Sequence, residues 1–242
     1  MRLPQGKILH VPELESTQDE LSRWVRGGNR AVVGVRTDHQ TSGRGRLGRP
    51  WLTPPGEALA LSLALYPYAD WKQPQLLGMA VALAAARALD LLLQWPNDLV
   101  LETPGGIRKA GGVLAEMVPS GERRVPVVGI GVNLTVRQFP PDLPFATSLA
   151  LAGRSAPAPE RAQELILSAL SEVPEPTAWS ALRDLWMERD RTPGKRYLYR
   201  DIPREAIGVD DEGRLLLSTE EGVVAVPSAE AWYGDGSGVS GA

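Results

Sequence analysis

Ile107-Arg108-Lys109-Ala110-Gly111-Gly112-Val113-Leu114-Ala115-Glu116-Met117-Val118 reads as one long strand, apolar along most of its length. A turn at Pro104-Gly105-Gly106 joins it to a strand over residues 99–101. On its other side Ser120-Gly121 turns the chain into a further strand over residues 125–134. Strands joined by short hairpin turns and followed by helices indicate an α+β sheet rather than a doubly wound one.

Working outward from these strands, residues 7–11 are a short apolar strand. Thr17 followed three residues later by Glu20 is a capping box, so a helix is expected to start there and run to Gly27-Gly28. Residues 31–36 read as a buried strand, and residues 58–65 as another with Ser62 in its middle. Residues 75–89 are apolar on nearly every side and predict a well-buried helix. Residues 91–95 form a strand broken by Pro96. Residues 160–172 predict an amphipathic helix and residues 179–189 another. Thr192-Pro193-Gly194 marks a boundary, beyond which short strands follow at residues 196–199, 206–209, 214–218 and 223–226. The chain is thus expected to divide into a main domain at 1–191 and a small β unit at 192–242. A unit of about 50 residues is near the lower limit for independent stability, so it should dock on the main domain. The Gly- and Ser-rich tail from Gly234 is expected to be mobile.

Composition removes several function classes. The 242 residues carry a formal net charge of −3, which does not suit a protein that coats nucleic acid. There is no Cys, which excludes disulfides, thiolate catalysis and Cys-based metal sites. His10 and His39 stand outside any metal-ligand spacing, and a Ser-His pair is not in prospect. No apolar run approaches the length of a membrane span and no signal region opens the chain, so a cytoplasmic protein is expected.

The densest polar signal is Thr41-Ser42-Gly43-Arg44-Gly45-Arg46-Leu47-Gly48-Arg49-Pro50-Trp51, with three glycines and three arginines in seven residues. The glycines permit positive φ and bring backbone N–H groups close to a ligand, while arginine suits phosphate and carboxylate. Trp51 is placed to cover a flat ring such as adenine. A solvated basic loop and an Arg-Gly segment for nucleic acid remain open for this stretch alone. Gln94-Trp95-Pro96-Asn97-Asp98 ends a buried strand in an amide and a carboxylate; Asp98 suits Mg²⁺ held through water and equally a turn cap. Lys109 precedes paired glycines in an apolar strand, a mark of close approach by a ligand or another backbone, although a surface lysine is the alternative. In Gly129-Ile130-Gly131-Val132-Asn133 the asparagine is available to a base or ribose. Ala146-Thr147-Ser148-Leu149 reads as a helix start.

In order and spacing, this set of motifs, from Ser16-Thr17 through the Gly-Arg-Gly-Arg loop to Thr147-Ser148-Leu149, resembles the biotin–protein ligase family over nearly the whole chain. The resemblance implies a mixed central sheet flanked by helices, as in class II synthetases, with a C-terminal SH3-like barrel. It implies a two-step ligase: biotin and ATP give biotinyl-5′-adenylate and pyrophosphate, and a lysine of a biotin carboxyl carrier protein then takes the biotin and releases AMP. By the family pattern, Ser16, Thr17, Gln18, Gln40, Arg44, Gly45, Arg46, Lys109, Gly111 and Gly112 surround biotin. Gly43, Arg46, Gly48, Arg49, Trp51, Asn97, Lys109 and Asn133 face the nucleotide. Arg44, Arg46 and Lys109 carry the charge work of catalysis, with Mg²⁺ near Asp98. None of these lies beyond Arg191, so the β unit is expected to shape the carrier site or steady the nucleotide.

Two positions depart from the pattern: Gln94 stands where a lysine usually precedes Trp-Pro-Asn-Asp, and Leu47 where a further arginine is common. The helix-turn-helix segment that makes some relatives repressors is not found, so no DNA regulation by that route is expected; the resemblance admits a homodimer. Three rival readings remain. One is a lipoate-type ligase of the same fold, whose own loop pattern is not found here. Another is a non-catalytic nucleic-acid-binding module on residues 43–49. The last is a degenerate ligase with Gln94 as its lesion.

Overall fold

The structure, a computed structural model, describes residues 1–228 and 231–233, so the tail expected to be mobile from Gly234 lies outside the described residues. In chain order the main elements are β1 (Lys7–Leu14), α1 (Thr17–Arg26), β2 (Val32–Gln40), β3 (Ala58–Ala64), α2 (Pro74–Ala88), β4 (Leu92–Gln94), β5 (Asp98–Thr103), β6 (Gly106–Ser120), β7 (Arg123–Asn133), α3 (Pro159–Glu172) and α4 (Arg183–Met187). They are followed by β8 (Arg196–Tyr199), β9 (Ile202–Val209), β10 (Leu215–Thr219), β11 (Gly222–Val226) and β12 (Ala231–Tyr233).

Seven strands form one mixed sheet in the order β1-β2-β3-β7-β6-β5-β4. The pair β1–β2 is parallel, because α1 carries the chain over between them, and the remaining pairs are antiparallel. Alternation along the central strands decides what each face does. Leu59, Leu61 and Leu63 of β3 and Val128, Ile130 and Val132 of β7 turn to one side, where α2 and α3 cover them in the main core. The opposite face carries small residues in register: Ala60 pairs with Gly131, which pairs with Gly112, which pairs with Asp98. Helix α1 packs Leu21 and Val25 over one end of that face, against Val35, Ala64 and Val127. The rest is left open, because rows of Gly, Ala and Ser cannot fill the space above them.

The second sheet is antiparallel and five-stranded, in the order β11-β10-β9-β8-β12, and forms the SH3-like unit. It shares the main core: Tyr197, Leu215, Leu217 and Val226 belong to the same buried cluster as Leu76 and Trp95. Gly213, at φ +79°, sits in the β9–β10 turn so close to α2 that a Cβ there would come within 2.8 Å of Leu76. The docking expected from the unit's size is therefore observed as continuous packing.

Several local expectations change. The cap of α1 is Ser16, whose Oγ accepts from the Asp19 N–H (3.3 Å), so the capping residue stands one position earlier than Thr17. Thr17 is thereby freed to point at β2 and β3. The helix expected over residues 179–189 is two short pieces, a 3₁₀ turn at Trp179–Ala181 and then α4. Ala146-Thr147-Ser148-Leu149 starts no helix: Ala146 bridges to Lys109 and a turn begins only at Leu149, where Ser148 Oγ accepts from the Leu151 N–H (3.1 Å) and donates to the Val136 carbonyl (2.6 Å). Strand β12 was not foreseen. Among the described residues no helix is long and apolar enough to cross a membrane.

Candidate functional site

The open part of the small-residue face is a cavity of about 350 Å³. Its floor is neutral and polar. Thr17 Oγ1 lies 2.9 Å from Ser62 Oγ, and Ser62 Oγ donates to Gln18 Oε1 (3.1 Å). Gln40 Oε1 accepts from the Thr17 N–H (2.9 Å), while Gln40 Nε2 donates to Thr53 Oγ1 (3.1 Å). Gln18 Nε2 donates to the Val127 carbonyl and to Glu116 Oε2, each at 3.0 Å. Thr17, Gln18 and Ser62 are buried, so this network is held by the fold and not by solvent.

The Gly-Arg stretch closes one side as a hairpin on its own backbone, with Trp51 N–H donating to Gly43 O and Gly45 N–H to Arg49 O, each at 2.8 Å. Positive φ is needed at Gly48 (+72°) and, against expectation, at Leu47 (+57°), whereas Gly45 is extended. Gly43 is required for a different reason: a Cβ there would collide with the Trp51 carbonyl oxygen. The ring of Trp51 lies against β7, where a Cβ on Gly131 would stand 2.6 Å from it. Among the described residues its buried indole Nε1 has no hydrogen-bond partner.

The three principal cations differ in what they touch. Arg44 donates to both oxygens of Glu116 (2.7 and 2.8 Å) and to Asp19 Oδ1 (2.8 Å). Its guanidinium holds the Glu116 and Asp19 carboxyls below their ordinary range, and they in turn raise its own pKa. Arg44 lines the cavity, yet its charge is committed to two carboxylates, so it ties the loop to α1 and β6. Arg46 donates to Asn97 Oδ1 (3.2 Å) and to the backbone carbonyl of Ser228. Burial lowers its pKa, without removing the charge of an arginine. Lys109 donates from Nζ to Asp98 Oδ1 (2.6 Å), with its side chain 42% exposed toward the cavity. Asn97 also donates from Nδ2 to the Val113 carbonyl, which fixes the Trp95–Asp98 segment to β6.

Of the residues singled out in the sequence, Ser16, Thr17, Gln18, Gln40, Arg44, Gly45, Arg46, Arg49, Trp51, Asn97, Asp98, Lys109, Gly112 and Asn133 line this one cavity. Gly43, Gly48 and Gly111 do not. Gly111 faces the other way, where a Cβ would meet the Gly131 carbonyl oxygen and Leu99, so its small size serves strand packing. Asn133 donates to the Thr147 carbonyl (3.0 Å) and so anchors the segment that pairs with Lys109. Gln94 is buried in the wall, and Leu47 is 68% exposed at the loop tip.

The sequence reading noted Ser62 only as a polar residue within a strand and not as part of the floor, and it missed two further segments. Residues 139–146 supply Phe139, Leu143 and Phe145 as an apolar wall, because Lys109 N–H donates to Phe145 O (2.7 Å) and Thr147 N–H to Lys109 O (2.8 Å). From beyond Arg191, Tyr197 lines the cavity and Ser228 holds Arg46, so the β unit reaches the site itself. Proline clustering in the first segment was a signal of a built loop; nothing local marks the second.

Comparison with known proteins follows the same geometry. Residues 19–133 match the family model described as the biotin/lipoate A/B protein ligase family. The chain is 32% identical to the biotin--[acetyl-CoA-carboxylase] ligase of Paracoccus denitrificans, over 83% of this chain and 90% of that protein. It is 31% identical to the bifunctional ligase/repressor BirA of Bacillus spizizenii, over 94% of this chain and 74% of that one. Among solved structures, the biotin protein ligase from Aquifex aeolicus in complex with biotin and ATP superposes with a TM-score of 0.72 at 25% identity, covering 93% of this chain and 97% of the other.

Proposed function

We infer the reaction from one premise: this chain belongs to the biotin/lipoate A/B protein ligase family, among its biotin–protein ligases. It is an ATP-dependent ligase that activates biotin as biotinyl-5′-adenylate and transfers it to a lysine of a biotin carboxyl carrier protein, that of acetyl-CoA carboxylase. The observation that carries this reading is the joining of a neutral hydrogen-bonding floor to a cationic wall in one cavity. Thr17, Gln18, Gln40 and Ser62 offer the mixture of donors and acceptors that a cyclic urea requires. The apolar Phe139, Leu143 and Phe145 suit an aliphatic or aromatic body.

In the first step a carboxylate oxygen of biotin bonds to the α-phosphorus of ATP, and the bond to the β-phosphate oxygen breaks, releasing pyrophosphate. Two anions must meet, and Arg46 and Lys109 are the cations placed to offset that repulsion and the charge that builds on phosphorus. Trp51, Asn97 and Asn133 border the nucleotide. Arg44 serves by holding the loop, through Asp19 and Glu116. In the second step the carrier's lysine amine attacks the acyl carbon and AMP leaves, so the enzyme needs no nucleophile of its own.

Mg²⁺ fits this donor set only as a companion of the triphosphate. Among the described residues no group of three or more His, Cys, Asp and Glu is arranged to hold a metal, and Asp98 is the carboxylate beside Lys109. When bound, the ion neutralises phosphate charge. A cytoplasmic location, no sequence-specific DNA binding and a homodimer complete the proposal; the acidic net charge of −3 supports the second, and β1 as an edge strand of the large sheet supports the third.

The test is biotin-dependent exchange of pyrophosphate into ATP, run beside a lipoate control. Exchange with biotin alone is the expected result. Equal exchange with both acids, or none with either, overturns the assignment.

A further inference from the structure

Trp95 is held on every polar side by residues from Thr192 onward. Its amide N–H donates to Thr192 Oγ1 (2.8 Å), its carbonyl accepts from the Tyr197 hydroxyl (2.8 Å), and its indole N–H donates to the Gly213 carbonyl (3.0 Å). A threonine hydroxyl has one proton to give, so its acceptance from Trp95 depends on where that proton points. Here the proton goes to Asp190 Oδ1, which also accepts the Thr192 N–H (2.9 Å). Asp190 is fixed in turn by the bridge to Leu93, with Leu93 N–H donating to Arg189 O (2.9 Å) and Arg191 N–H to Leu93 O (2.8 Å).

Asp190 is a poor choice for stability alone. It is 8% exposed and burial pushes its pKa up; among the described residues its Oδ2 has no well-aligned hydrogen bond, and the Trp186 indole N–H, itself without one, is the group that faces it and opposes that rise. A buried carboxylate with one oxygen only poorly paired costs stability. What it supplies is a fixed acceptor that sets the direction of the Thr192 hydroxyl. The segment so held runs directly into Asn97, partner of Arg46, and Asp98, partner of Lys109.

We propose that Asp190 and Thr192 are positioning residues for the first step, acting through the Trp95 peptide to set Asn97 and Asp98 and, through them, the guanidinium of Arg46 and the ammonium of Lys109. The inference rests on the reaction proposed above. It separates two kinds of change: the neutral floor over Thr17, Gln40 and Ser62 has no bond to this chain of groups, so the step that joins the anions should suffer while biotin binding should not.

The experiment compares wild type, Thr192→Val and Thr192→Ser in pyrophosphate exchange, with biotin affinity measured calorimetrically in the absence of ATP. Valine keeps the shape and removes the hydroxyl; serine restores it. Thr192→Val is expected to lower kcat for exchange about tenfold, the effect of one buried polar group left unpaired. Its biotin Kd should stay within about twofold of wild type, and Thr192→Ser should recover most of the rate. A wild-type kcat in Thr192→Val overturns the proposal, as does biotin affinity falling in step with kcat, which would mark general loosening. Should Thr192→Val fail to fold, Thr192→Ala carries the test, with the same split expected and an unchanged kcat overturning it. Absence of biotin-dependent exchange in the wild type overturns the reaction itself and this inference with it.

Discussion

The floor of the cavity and its arginine-bearing rim differ in what satisfies their polar groups. On the floor, Thr17, Gln18, Gln40 and Ser62 are bonded to one another, to the Val127 carbonyl, to the Thr53 hydroxyl and, from Gln18, to Glu116. On the rim, Arg46 and Lys109 are bonded to a side-chain amide, a loop carbonyl from the β unit and a single carboxylate. Neutral dipoles can be buried permanently if they satisfy each other. A cation near solvent keeps a partner only until a stronger anion arrives. The floor is thus a shaped recess, and the rim is a set of charges parked on partners that phosphate oxygens can replace.

Removing a parked charge should have the largest effect. Lys109→Ala is expected to lower the first-step rate by roughly 10²–10³-fold, the range seen when one donor to developing charge is lost. Its melting temperature should stay near that of wild type, because among the described residues the Lys109 ammonium pairs with Asp98 alone. Near-normal exchange in this variant would mean that the rim is not where charge is offset.

Arg46→Gly sharpens the comparison, because Arg46 belongs to both the loop and the β unit. A charge-assisted hydrogen bond is worth roughly 1.5–3 kcal/mol, so escape of the adenylate should rise by about tenfold to a hundredfold. The freed anhydride would acylate exposed lysines on bystander proteins. Labelling of an unrelated lysine-rich protein by wild type and variant, with biotin and ATP, measures this directly; equal labelling would remove Arg46 as a latch.

On the floor, Ser62→Ala deletes the hydroxyl between Thr17 and Gln18. It should raise the KM for biotin by about tenfold and leave the KM for ATP within about twofold. A change in both together would erase the distinction between floor and rim.

The smallest effect concerns the loop anchor. Arg44 lowers the folded-state pKa of Asp19 and Glu116, so their contribution is fully present above the unfolded carboxylate values and is lost as pH falls through the depressed ones. Hydrogen exchange of residues 43–50 should therefore stay flat from neutral pH to about pH 5, once corrected for intrinsic rates, and accelerate below about pH 4. Loosening that begins near neutrality would point to some other anchor.

Much of this was legible before any coordinates. Periodicity located the long strands, and the polar residues that strand packing does not ask for, such as Lys109 before Gly112 or Asn97 after Trp95, fell into one cavity. Short-range signals were less faithful where two residues competed for one role. Ser16 and Thr17 both suit an N-cap, and only the docking of α1 against β3 decides that Ser16 caps while Thr17 turns to Ser62. The paired glycines looked alike, yet the two-residue period of a strand sends Gly112 to the cavity and Gly111 to Leu99.

By itself the sequence determined the α+β class, every strand except β12 and the identity of most polar residues that gather above the sheet, because those depend on side-chain period and turn chemistry within a few residues. The tertiary structure decided which charges remain available. Arg44 and Arg46 are two residues apart on one loop, but Arg44 meets Glu116 on β6 and Arg46 meets Ser228 from the far end of the chain. Thr192 and Asp190 carry no motif; their connection to Trp95 exists because the chain returns along β4 before entering the second sheet. Hydrogen bonds act over about 3 Å in space, whatever the separation in sequence. Residue type can therefore announce a donor or an acceptor, and only the packed fold names its partner.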